Sequence, residues 1–125
     1  MKKKLLMGLA SVFVLAACGN GATEESDTIK LGGNFELSGG ASAYGTLMDD
    51  GIKMAVAEQN AADGLLGKEI EYISYDNKSE PSESTSVATR LATEDNVVAI
   101  LGPATTGAAN AQSPAVTRAK VPAIL

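Results

Sequence analysis

The sequence contains no histidine and no tryptophan, a single cysteine, and only five aromatic side chains, three tyrosines and two phenylalanines. Each absence removes a chemistry. Without histidine, and with the one thiol at Cys18, the chain cannot assemble a zinc site of the usual nitrogen and sulfur ligands. Nor can it assemble a Ser-His or Cys-His nucleophile. A lone cysteine forms no intrachain disulfide. Few aromatics, no basic stripe and a formal net charge of −5 leave nucleic acid without stacking platforms or phosphate partners. The apolar stretch from Leu5 to Val14 falls short of the roughly 20 residues a membrane-spanning helix needs.

That stretch follows Lys2, Lys3 and Lys4 and ends in Leu15-Ala16-Ala17-Cys18. The layout is that of an export leader: charged, then apolar, then small. The run Leu-Ala-Ala-Cys resembles the bacterial lipobox. Such a motif implies cleavage before Cys18, a diacylglycerol thioether on its sulfur, and anchoring to the outer face of a bacterial cell membrane. An ordinary export signal with a chance cysteine is the alternative, but it leaves an exported free thiol unexplained. Two acyl chains hold a protein stably on a membrane where one does so only marginally. Residues 1–17 are thus expected to be a leader. Residues 18–27, rich in Gly, Asn, Thr, Ser and acidic side chains, are expected to be a lipidated cysteine and flexible tether. Loss of the three lysines makes what remains more acidic still.

From Thr28 the pattern changes. Short apolar segments near 28–35, 69–76, 97–101 and 121–125 read as strands, and segments near 44–62, 81–94 and 107–119 read as helices. Alternation of this kind predicts an α/β domain with a doubly wound parallel sheet over residues 28–125. In the first helix Met48, Ile52, Ala55, Val56 and Gln59 recur at helical spacing and are expected to face the sheet, with Asp49, Asp50, Lys53 and Glu58 in solvent. Pro81 suits the first position of the second helix, whose buried stripe is Val87, Ala88, Leu91 and Ala92. The unbroken run Val97 to Leu101 reads as a strand buried on both faces. The chain reaches Leu125 within or just after the fourth strand. This predicts an amino-terminal fragment of a longer domain, with an open sheet edge.

Doubly wound sheets bind ligands outside the carboxyl ends of their strands, which selects three loops: Glu36 to Ala43, Asp76 to Glu80, and Gly102 to Gly107. The last has the glycine spacing of a phosphate loop, but Ala108 and Ala109 stand where Lys and Ser or Thr are needed. What remains is a helix amino terminus with two hydroxyls, Thr105 and Thr106, able to take a carboxylate. Either threonine serving only as a cap for its own helix explains them equally well. Ser38-Gly39-Gly40 admits close backbone approach. Tyr44 offers an apolar wall with a polar tip, or else packs over its own helix turn. Asp76 ends a strand where other doubly wound folds place a phosphoacceptor or a ribose ligand; a loop hydrogen-bonding role is the simpler reading.

Taken in order, Ile29-Lys30-Leu31-Gly32 with Leu37-Ser38-Gly39, Ala43-Tyr44-Gly45, Gly51 to Val56, Asn60 to Gly64 with Gly67-Lys68, Tyr75-Asp76, Pro81 and Ile100 to Pro103 resemble the branched-chain amino-acid-binding proteins. These are the extracytoplasmic receptors of ABC importers. The resemblance implies part of the first lobe of a two-lobed, hinged periplasmic-binding-protein-like fold. It implies an amino-acid ligand whose carboxylate is held in the loop after the third strand, at Thr105 and Thr106, with Thr106 favoured as the hydroxyl donor. Tyr44 is implied to line the pocket. The implied partners are the ligand, ABC permease subunits and the membrane through the lipid anchor, with no cofactor, no metal and a monomeric complete protein. The stretch Asn34-Phe35-Glu36 departs from the more apolar or glycine-containing pattern of such relatives, which unsettles the contacts of the first loop. Two other readings compete: a metal-dependent α/β enzyme using Asp76, whose mark would be a converging acidic pair, and a sensory lipoprotein built on the same lobe.

Overall fold

A computed structural model describes residues 28–125, so the predicted leader, Cys18 and the tether lie outside the described residues. The elements run β1 (Thr28–Phe35), α1 (Ser42–Ala61), β2 (Glu69–Asp76), α2 (Pro81–Thr93), β3 (Ala99–Leu101), α3 (Thr106–Ala119) and β4 (Ala123–Ile124). The strands form one sheet in the order β2-β1-β3-β4. Every pairing is parallel, with Thr28 opposite Glu69 and Leu31 opposite Ala99 and Tyr72. The chain therefore winds outward from β1 to β2, then returns past it to β3 and β4. This is the doubly wound sheet that the alternating pattern predicts. Its topological switch point lies between β1 and β3, and β4 forms an open edge.

Strand side chains alternate between faces, and β1 shows which helix covers which. A methyl group on Gly32 would meet Leu91 of α2 and Val97, whereas one on Gly33 would run into the Tyr72 hydroxyl on the other face. The hydrophobic core accordingly lies on the α2 and α3 side. Val87, Ala88, Leu91, Val97, Ile100 and Val116 pack there, with Ile73, Tyr75 and Val121 around them. Full burial of such side chains is worth about 1.5–3 kcal/mol each. Of the predicted stripe of α2, Val87, Ala88 and Leu91 are buried and Ala92 is half-buried, and the buried Ser84 extends it.

On the other face α1 corrects two expectations. Its sheet-facing positions are Gly45, Asp49, Ile52, Val56 and Asn60, while Met48, Ala55 and Gln59 are exposed. Asp49 is not in solvent: it is 2 % exposed, accepting hydrogen bonds from the Tyr72 hydroxyl at 2.8 Å and the Ser74 hydroxyl at 2.6 Å, and paired with Lys53 at 2.6 Å. The physical reason lies in β2. Tyr72 and Ser74 put hydroxyls beneath the helix, so a carboxylate is satisfied where an apolar residue would strand them. A third correction concerns Val97 to Leu101: the strand is only Ala99–Leu101, and Val98, just before it, is 56 % exposed, while Val97 and Ile100 reach the core. No helix among the described residues is long and apolar enough to cross a membrane.

Candidate ligand site at the switch point

The three loops selected from the sequence meet at the carboxyl ends of β1, β2 and β3, and each is held by side chains of another. Asp76, closing β2, reaches the β1–α1 loop. Its Oδ1 accepts the backbone N–H groups of Leu37 at 2.9 Å, Ser38 at 3.0 Å and Lys78 at 2.7 Å, and its Oδ2 accepts the Ser38 hydroxyl at 2.5 Å. Burial pushes the Asp76 carboxyl up, but the Ser38 hydroxyl and the three backbone donors outweigh it and hold the group below its ordinary range. Ser79 completes the clasp: its hydroxyl donates to the Ser38 carbonyl at 2.7 Å and accepts from the Ala41 N–H at 3.1 Å. Asp76 is thus a loop-bonding residue. Among the described residues no group of three or more carboxylate, histidine or cysteine side chains stands where it could hold a metal ion.

Beneath the loops lies a buried polar cluster that sequence reasoning missed. Asn34 Nδ2 donates to the Ser84 hydroxyl at 2.9 Å, the Ser84 carbonyl at 3.0 Å and Gln112 Oε1 at 2.8 Å, and its Oδ1 accepts from Asn77 at 3.1 Å. Gln112 in turn donates to the Gly102 carbonyl at 2.7 Å. One amide side chain at the end of β1 so fixes α2, α3 and the β3–α3 loop together. The only signal in the sequence was a polar residue, Asn34, in a strand otherwise apolar or glycine at that end. Gly102 meets the cluster from above: with φ at +87° and the Asn34 carbonyl 2.5 Å from where a Cβ would stand, only glycine fits without displacement.

Glu36, two residues beyond Asn34, is the second residue missed. It is fully buried. Its Oε2 accepts the Ala104 N–H at 2.9 Å, and its Oε1 accepts the Thr105 N–H at 3.2 Å and the Thr105 hydroxyl at 2.7 Å. The two threonines therefore part company. Thr105 stands at the amino-terminal cap position of α3 but does not cap the helix with its side chain; its hydroxyl is taken by Glu36. Thr106, the first helical residue, is exposed, and no side-chain hydrogen bond holds its hydroxyl among the described residues. Tyr44, in the first turn of α1, is 70 % exposed. A separate groove of about 460 Å³ runs between α3 and β4 past Val116, Val121 and Leu125; neither Tyr44 nor Thr106 lines it.

The fold has known counterparts. The sequence family described as periplasmic binding protein matches residues 28–125. The branched-chain amino acid transporter substrate binding protein LivJ of Streptococcus pneumoniae, solved with isoleucine, is 51 % identical, with a TM-score of 0.76 over 77 % of this chain and 28 % of that one. A solute binding protein of an ABC transporter from Rhodopseudomonas palustris, solved with 3,4-dihydroxybenzoic acid, is 35 % identical, with a TM-score of 0.72 over 78 % of this chain and 26 % of that one. The Leu/Ile/Val-binding protein homolog 2 of Brucella abortus is 32 % identical over 102 residues, 82 % of this chain and 26 % of the relative. The chain thus spans about a quarter of the length of the proteins it matches. Each of these three is described as a binding protein.

Proposed function

This chain belongs to the periplasmic binding protein family, and we propose that it forms part of the first lobe of an extracytoplasmic receptor that captures amino acids for an ABC importer. Branched-chain amino acids are the preferred class. The observation that carries the reading is the exposed Thr106 hydroxyl at the start of α3, across the switch point from the exposed Tyr44. A helix amino terminus with a free hydroxyl accepts a carboxylate. Isoleucine and 3,4-dihydroxybenzoic acid, the ligands bound by two of the relatives, have a carboxylate in common. The greater identity to the isoleucine-bound relative favours an aliphatic amino acid over an aromatic acid.

Thr106 is assigned as the hydroxyl donor to the ligand carboxylate and Tyr44 as a wall of the pocket. Thr105 acts from behind the loop. Calorimetry on the receptor expressed at full gene length tests this: isoleucine binds, and Thr106→Ala weakens binding about tenfold, the worth of a hydrogen bond to a charged group. An unchanged Kd removes Thr106 from the site. Binding of 3,4-dihydroxybenzoate but not isoleucine moves the ligand class to aromatic acids. The leader and Cys18 support placement on the outer face of the membrane, tethered by lipid through residues 18–27. Cys18→Ser is expected to shift the protein from the membrane pellet to the soluble fraction; retention in the pellet refutes the anchor.

A further inference from the structure

We propose that Glu36 is the positioning residue that sets Thr106 against Tyr44, and that the Thr105 hydroxyl is the handle by which it does so. The inference rests on the amino-acid-binding reading above and goes past it, to a residue outside the expected ligand contacts. Glu36 is fully buried, accepts three hydrogen bonds from the β3–α3 loop, and forms no ion pair among the described residues. A carboxylate in such a place is costly unless its acceptors are filled, and the loop fills them. Each donor belongs to the two residues directly before Thr106.

The backbone of Glu36 faces the other way. A side chain at Gly45 would collide with the Glu36 carbonyl, carbon and nitrogen, so the first turn of α1 lies directly on this peptide. Gly45 adjoins Tyr44 as Thr105 adjoins Thr106. One residue therefore touches the immediate neighbours of both groups assigned to the ligand, its main chain spacing one and its side chain the other. Glu36 also occupies the N–H groups of Ala104 and Thr105, the last two residues before α3. A ligand carboxylate is then left with the far side of the helix terminus, where Thr106 stands.

Isoleucine binding to the full-length receptor, followed by calorimetry with thermal unfolding alongside, tests the assignment through a double-mutant cycle. Glu36→Gln is expected to weaken binding about tenfold or more, because an amide turns a donor toward the loop N–H groups. Thr105→Val is expected to weaken it several-fold, and Thr105→Ser, which keeps the hydroxyl, to recover that loss. In the Glu36→Gln background Thr105→Val should add almost nothing, since the one bond it removes is among those that Glu36→Gln disturbs. Two results overturn the proposal. One is a folded Glu36→Gln protein with wild-type affinity. The other is multiplication of the two losses, which would make Thr105 a direct ligand group. If Glu36→Gln fails to fold, Thr105 decides alone: wild-type affinity in Thr105→Val refutes the handle. Wild-type protein that binds neither isoleucine nor leucine removes the functional reading and the inference with it, whereas unaffected variants of a binding-competent receptor remove only the inference.

Discussion

Asp49 carries more of this molecule than a helix-surface aspartate ordinarily does. Removing it by Asp49→Ala leaves the Tyr72 and Ser74 hydroxyls without their acceptor and Lys53 without its partner. The expected loss, read by urea unfolding, is about 1–3 kcal/mol, the cost of unsatisfied buried polar groups. Acid should act on the same contacts. Burial pushes the Asp49 carboxyl up, but hydrogen bonds from Lys53, Ser74 and Tyr72 and the lysine charge outweigh it, so it titrates below its ordinary 3.8. Asp76 is lowered from the same value. A depressed carboxyl binds its proton more readily in the unfolded chain, so each contributes stability above about pH 3.8. That contribution is lost as pH falls through the folded-state value. Asp49→Ala should flatten the acid limb of a stability-against-pH curve, and an unchanged limb would show that Asp49 makes no such contribution. Nothing in the local pattern distinguished Asp49 from its neighbour Asp50, because both lie on a helix whose apolar spacing points elsewhere.

At the scale of elements, the buried face of a helix is legible where its periodicity matches its environment. The stripe of α2 faces a dry core, and its apolar positions report that directly. In α1 the pattern misleads. Its covered face is built from Gly45, Asp49, Ile52, Val56 and Asn60, and three of these five are not apolar. Gly45 is there because the Glu36 peptide leaves no room for a side chain. Asn60 is there because its amide pairs with the backbone of Ile70, donating to the carbonyl and accepting from the N–H, both at 2.9 Å. Polar groups that satisfy a strand's backbone or hydroxyls do the work that apolar contact does elsewhere, and hydropathy cannot see them. The β3–α3 loop shows the same limit. Its place at the switch point follows from strand order, but its anchoring depends on Glu36 and Gln112, which are 68 and 10 residues from their partners.

For the whole molecule, the decisive fact is that the sheet ends at an open β4 edge and the chain spans 28 % of its isoleucine-bound relative. The family resemblance implies a pocket divided between two lobes, each supplying only part of the ligand's surface. Residues 28–125 expressed alone are therefore expected to bind isoleucine poorly, with calorimetry showing no saturation at micromolar ligand. Micromolar binding by this segment would overturn the division of the site between lobes. Extracytoplasmic placement, which the family supports, accords with a composition poor in cysteine.

The sequence by itself determined the class of fold, the three loops at the carboxyl ends of the strands, the family resemblance and the candidates Tyr44, Thr105 and Thr106. These depend on local periodicity, glycine placement and residue order, which are properties of neighbours along the chain. Tertiary structure alone decided that Thr105 belongs to Glu36, that Asp49 is buried, and that Asn34 ties two helices to a loop. A buried carboxylate or amide is placed by the donors that meet it in space, and those donors come from strands and helices far away in the sequence.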